Sequence, residues 1–87
     1  MKTFTIYTDN AHGWLAVTFA DLADVNLSPL DFSRFSYHRG ETLYLEEDCD
    51  ASKFLAAYQA KHGGMPIIRE SYTQGRSRIR SYARVRT

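Results

Sequence analysis

Residues 42–64, TLYLEEDCDASKFLAAYQAKHGG, change their hydrophobic period halfway along. Over residues 42–46, Leu43 and Leu45 point one way and Thr42, Tyr44 and Glu46 the other, which is the alternation of a strand. From Ala51 the apolar spacing becomes i, i+3, i+4, i+7 at Ala51, Phe54, Leu55 and Tyr58, which is one face of a helix. Asp48 or Asp50 suits the helix N-terminus, Lys61 and His62 suit its C-terminal dipole, and Gly63-Gly64 supplies the C-cap. A half-apolar strand followed at once by a half-apolar helix needs a shared core. The stretch therefore predicts an α+β fold with the helix over residues 50–62 lying on the apolar face of a sheet.

Working outward, residues 34–38 place Phe35 and Tyr37 on one face, and Arg39-Gly40 makes a turn into residues 42–46, a hairpin. Residues 2–8 alternate with Phe4 and Ile6 on one side. The turn formers of residues 9–13 lead into a second strand over residues 14–19. Thr18 and Asp21 form the pattern of a capping box opening a short helix over residues 20–25. Residues 66–72 read as another strand. Residues 77–86 alternate too: Ile79, Ser81, Ala83 and Val85 share one parity, and Arg78, Arg80, Tyr82, Arg84 and Arg86 the other. A strand there would collect the arginines on one face. The sum is a single domain over residues 1–87, with a mainly antiparallel sheet of five or six strands, one main amphipathic helix and one short helix. Phe54, Leu55 and Tyr58 are expected to pack on Ile6, Leu43, Leu45 and Ile67.

Charge is sorted along the chain. Residues 69–87 hold six arginines and one acid, a net of +5, whereas residues 1–68 hold five basic and nine acidic groups, a net of −4. The overall +1 hides this polarity, which points to a charged macromolecular partner. With 44% hydrophobic and 24% charged residues, the composition is that of a folded globular protein. The single cysteine excludes an intramolecular disulfide framework. No apolar run reaches the roughly 20 residues that span a bilayer, and residues 1–4 lack the apolar core of a signal peptide, so a cytoplasmic, non-membrane protein is expected.

Two surfaces stand out as binding candidates. One is the acidic cluster Glu46-Glu47-Asp48-Cys49-Asp50 with Glu41. Its plainest role is capping and dipole complementation at a helix start, and it also suits a basic partner. The other is the arginine parity of Arg76, Arg78, Arg80, Arg84 and Arg86 with Tyr82, suited to phosphate contact and base stacking, or to ion pairing with acids across the sheet. Cys49 reads as a small buried residue, since the neighbouring carboxylates oppose thiolate formation. His12, His38 and His62 show no metal-ligand spacing, and one cysteine cannot complete a structural zinc site. No phosphate loop, nucleophile elbow or paired-carboxylate motif is present. No catalytic residue, metal or cofactor is expected.

Three stretches carry a resemblance: His12-Gly13-Trp14-Leu15; Ser36-Tyr37-His38-Arg39-Gly40 leading to Tyr44-Leu45-Glu46-Glu47-Asp48-Cys49-Asp50-Ala51; and Ser77-Arg78-Ile79-Arg80-Ser81-Tyr82. Together they resemble a family of small proteins encoded by phages, prophages and plasmids of Gram-negative bacteria. That resemblance implies an anti-CRISPR-like inhibitor of host defence, working in the bacterial cytoplasm by stoichiometric binding to a CRISPR-Cas effector protein. On this reading the acidic residues Glu41, Glu46, Glu47, Asp48 and Asp50 meet the effector. The alternative is a small nucleic-acid-binding or regulatory protein using the arginine face. A monomer or small homo-oligomer fits either.

Overall fold

In the computed structural model, which describes residues 2–85, the hydrophobic alternation of each segment sets its place in one sheet. Strands β1 (Thr3–Thr8) and β2 (Gly13–Thr18) form the N-terminal hairpin. The capping box then opens α1 (Phe19–Asp24): Asp21 N donates to Thr18 Oγ1 at 3.1 Å and Thr18 N donates to Asp21 Oδ2 at 2.9 Å. A 3-10 turn, Pro29–Asp31, follows. The second hairpin joins β3 (Tyr37–Arg39) to β4 (Thr42–Glu46) through Gly40, whose φ of 59° suits a residue without a Cβ. Helix α2 (Ala51–His62) ends at Gly63, which takes the left-handed conformation at φ 76°. Strand β5 (Ile67–Tyr72) closes the main body.

The described sheet has six strands in the order β5-β1-β2-β4-β3-β6, where β6 is the two-residue strand Ala83–Arg84. All pairings are antiparallel except β1 with β5. The fold is α+β, as the period change at residue 50 requires.

Helix α2 covers one face of this sheet. Phe4, Leu15, Val17, Leu43 and Leu45 project from the strands and meet Phe54 and Tyr58, with Leu22 and Phe32 closing the side. The Phe4 ring meets Phe54 and Tyr58 edge-on at 5.3 and 5.7 Å, a favourable aromatic geometry. Leu55 is only half-buried, and Ile6 is likewise partly covered. Ile67 departs from expectation: it is 49% exposed, because its pairing with Thr3 puts it on the sheet face opposite Phe4. No helix among the described residues is long and apolar enough to cross a membrane.

The C-terminal segment is the main correction. Residues 77–86 do not form one strand. Arg78–Ser81 is a 3-10 helix, and only Ala83–Arg84 pairs, with β3. The cause is local and tertiary together. Ser77 Oγ accepts Ile79 N at 3.2 Å, and Asp9 Oδ2 accepts Ser77 N at 3.0 Å, so the chain is turned inward at its start. Ile79 is thereby buried against Trp14 and Tyr37. A continuous strand would have put Ile79 on the parity of Val85, which packs toward the α2 core, and so away from Trp14 and Tyr37.

Candidate binding face of the sheet

The second sheet face is built by the same alternation that builds the core. Residues opposite one another across a pair of strands share a face. The pairs Tyr7 with Trp14, Trp14 with Glu46, Ala16 with Tyr44, and Tyr37 with Tyr44 therefore place four aromatic residues together, away from α2. Tyr7 and Tyr44 lie 6.1 Å apart between centroids, Tyr44 and Tyr82 5.2 Å, and Trp14 and Tyr37 6.2 Å. The 3-10 turn lies over this face and buries Ile79 in it.

Guanidinium groups cap the rings. Arg39 stands over Tyr82 at 5.5 Å, Arg80 over Trp14 at 5.3 Å and Arg84 over Tyr37 at 4.9 Å. Each contact is a cation–π interaction worth about 0.5–1 kcal/mol where exposed. Arg80 is also held by Asp9, with Nε at 2.8 Å from Oδ2 and a terminal nitrogen at 3.1 Å from Oδ1. This two-point geometry suits guanidinium in particular. The ion pair holds the Asp9 carboxyl far below the usual carboxylate range, aided by amide donation from Ala11, Ser77 and His12.

Two clefts open on this face. The larger, about 570 Å³, is lined by Tyr7, Tyr44 and Tyr82 with Arg76 and Arg78. Burial raises the pKa of Tyr44, with Tyr82 and Tyr7 adding to the effect, so its hydroxyl remains a neutral donor. The smaller, about 290 Å³, is lined by Trp14, Tyr37, Arg80 and Arg84 together with His12, Glu46, Asp48 and Cys49.

The arginines expected on one face thus divide by role. Arg76 and Arg78 are exposed at the large cleft and form no ion pair among the described residues. Arg80 is structural, and Arg84 stacks on Tyr37 while donating to the Arg34 carbonyl at 3.0 Å. Tyr82 is half-buried against Tyr44, and Arg86 lies outside the described residues.

The acidic set also divides. Asp50 does not cap α2 through its side chain. It is buried, and its Oδ2 accepts Ser33 N at 2.9 Å, Ser33 Oγ at 2.8 Å and the Ser36 hydroxyl. Glu46 is buried as well, its Oε2 accepting Asp48 N at 2.9 Å and Cys49 N at 3.0 Å. Glu47 and Asp48 are exposed beside them. Glu41 is exposed at the opposite end of β4, so the five do not form one patch. Cys49 is exposed, not buried. Desolvation, a hydrogen bond to Glu46 and the nearby acids raise its pKa, which keeps the thiol protonated at neutral pH.

Tyr7, Trp14 and Arg39 belong to the face although they did not stand out as binding residues. The signal for Tyr7 and Trp14 was the outward parity of the first and second strands, whereas Arg39 reads as a turn residue in the sequence and joins the face through its pairing with Thr42. Comparison with known proteins gives no matching family model, no similar curated protein and no similar solved structure.

Proposed function

We propose that the protein acts by binding and not by catalysis, and that its large cleft holds single-stranded nucleic acid. The observation that carries this reading is the meeting, on one cleft of about 570 Å³, of three tyrosines with two arginines that form no ion pair among the described residues. Tyrosine rings offer stacking surfaces to unpaired bases, and guanidinium groups neutralise the phosphates between them. A duplex presents no free base faces to such rings. In the phage or plasmid setting implied by the sequence resemblance, the bound strand would belong to a CRISPR-Cas or related defence complex, and the protein would be an anti-CRISPR-like inhibitor. The test is fluorescence anisotropy with a labelled single strand and its duplex. Preferential single-strand binding, weakened about tenfold or more by Tyr82→Ala, is expected. Equal affinity for both forms, or no binding at low salt, rejects the reading.

A second reading keeps the defence-inhibitor role but uses the acids. Glu47 and Asp48 are exposed and free of salt bridges among the described residues, so a basic channel of an effector protein could receive them. A plaque assay on bacteria with an active CRISPR system separates the two. Loss of phage protection in Glu47→Lys, with Tyr82→Ala unaffected, favours the acidic contact.

A further inference from the structure

We infer that His12, Glu46 and Asp48 form a binding site for a divalent first-row transition-metal ion. The three come from the β1–β2 turn, the end of β4 and the loop before α2. One ligand atom from each lies within 4.8 Å of the others. An ion with bonds of about 2.0–2.2 Å needs its ligand atoms about 3–3.5 Å apart. His12 and Asp48 are exposed, so modest side-chain rotation closes that difference.

Glu46 is the second observation, because its carboxylate is buried at the cleft that His12 and Asp48 also line. It is 8% exposed, yet no Lys, Arg or His lies within salt-bridge distance of its carboxylate among the described residues. One oxygen, Oε2, takes the amides of Asp48 and Cys49. The Cys49 thiol also donates to this carboxylate, no N–H or O–H donor among the described residues reaches its other oxygen, and Glu46 lines the 290 Å³ cleft with His12 and Asp48. A carboxylate largely removed from water needs a cation or further donors. Arg80 shares the cleft but is committed to Asp9 by two hydrogen bonds.

The surroundings are those of a prepared site. The two amides fix the Glu46 carboxylate in orientation. The Asp9 Oδ1 that accepts His12 N at 3.0 Å fixes the turn bearing the imidazole. Support of this kind orients metal ligands. One imidazole nitrogen with carboxylate oxygens suits Zn²⁺, Co²⁺ or Mn²⁺ better than a soft Cu(I) ion or a Ca²⁺ ion seeking six or more oxygens. The remaining coordination positions face the cleft, where water would complete the shell. The ligands at 12, 46 and 48 come together only through the pairing of β2 with β4.

The test is titration of the chelator-stripped full chain with Zn²⁺ by calorimetry and with Co²⁺ by visible absorption. One saturable site is expected, with His12→Ala and Asp48→Asn each weakening it about tenfold or more. These exposed positions leave folding intact, which circular dichroism checks. His62→Ala controls for the exposed Asp24–His62 pair and should bind as the wild type does. Saturating Zn²⁺ should raise the melting temperature of the wild type and of His62→Ala only. Absence of a saturable site, undiminished binding in His12→Ala and Asp48→Asn, or loss confined to His62→Ala overturns the assignment.

Discussion

Asp9 shows how one short side chain can organise distant parts of a small protein. Its carboxylate accepts Ala11 N and His12 N within the first turn, and Ser77 N and the Arg80 guanidinium from the C-terminal segment. Asp9→Asn removes the charge and one acceptor from a buried position, and should cost about 2–3 kcal/mol in chemical denaturation. The pH dependence has a definite sign. The folded-state pKa of Asp9 is depressed, so its stabilisation is complete above the unfolded carboxylate pKa of about 4 and is lost as pH falls below it. Melting temperatures measured from pH 6 to pH 2 should therefore fall less steeply in Asp9→Asn than in the wild type. Parallel curves would reject this role. Asp50 makes the same point. As a helix cap its loss would cost about 1 kcal/mol, but it satisfies two serine hydroxyls and an amide in the interior, so Asp50→Ala should cost about 2–4 kcal/mol. In the sequence Asp9 reads as a turn former and Asp50 as a cap. Their partners lie far along the chain, 71 residues away for Arg80 and 17 for Ser33, and no local pattern announces them.

At the scale of elements, legibility follows the length and periodicity of each segment. The α2 helix was readable because twelve residues keep one apolar face and end in glycine. Strands β1, β2 and β4 were readable because their alternation matches a sheet with one face buried under α2. The third strand, in contrast, falls at Tyr37–Arg39 and not over residues 34–38, leaving Phe35 outside it and half exposed, and β5 exposes every one of its residues. The C-terminal segment alternates just as cleanly, yet it turns as a 3-10 helix, because burying Ile79 and satisfying Asp9 outweigh a short edge strand. Two substitutions separate the elements that carry stability from those that do not. Phe54→Ala should cost about 3–5 kcal/mol, since the ring is fully buried between Phe4 and Tyr58. Ile67→Thr should change stability by less than about 0.5 kcal/mol, because β5 is an edge strand with this side chain half in solvent. Urea unfolding of both variants checks the pair. A large loss at Ile67 would mean that the far face of β5 is covered in solution.

At the scale of the whole molecule, the sheet separates two environments that the sequence interleaves residue by residue. One face is a dry core under α2. The other is aromatic and edged by guanidinium groups, and there the charge asymmetry of the sequence acquires a position: Arg76 and Arg78 line the tyrosine cleft and form no ion pair among the described residues. Stacking and phosphate contact depend differently on salt, which allows the two contributions to be measured apart. Each phosphate neutralised on a single strand adds about 0.7 to the slope of log affinity against log salt, whereas stacking on a ring contributes little to that slope. Replacing Arg76 and Arg78 together by alanine should therefore lower the slope by about 1.4 while leaving appreciable affinity at low salt. Tyr82→Ala should do the reverse, losing about 1–3 kcal/mol of binding with the slope unchanged. Arg80→Ala reports on structure, because its guanidinium is bound to Asp9, and it should lower the melting temperature as well as the affinity. Anisotropy titrations of a labelled oligothymidine at several salt concentrations give all three quantities. If Arg76→Ala/Arg78→Ala leaves the slope where it was, these two arginines do not touch phosphate, and the cleft is not the nucleic-acid surface.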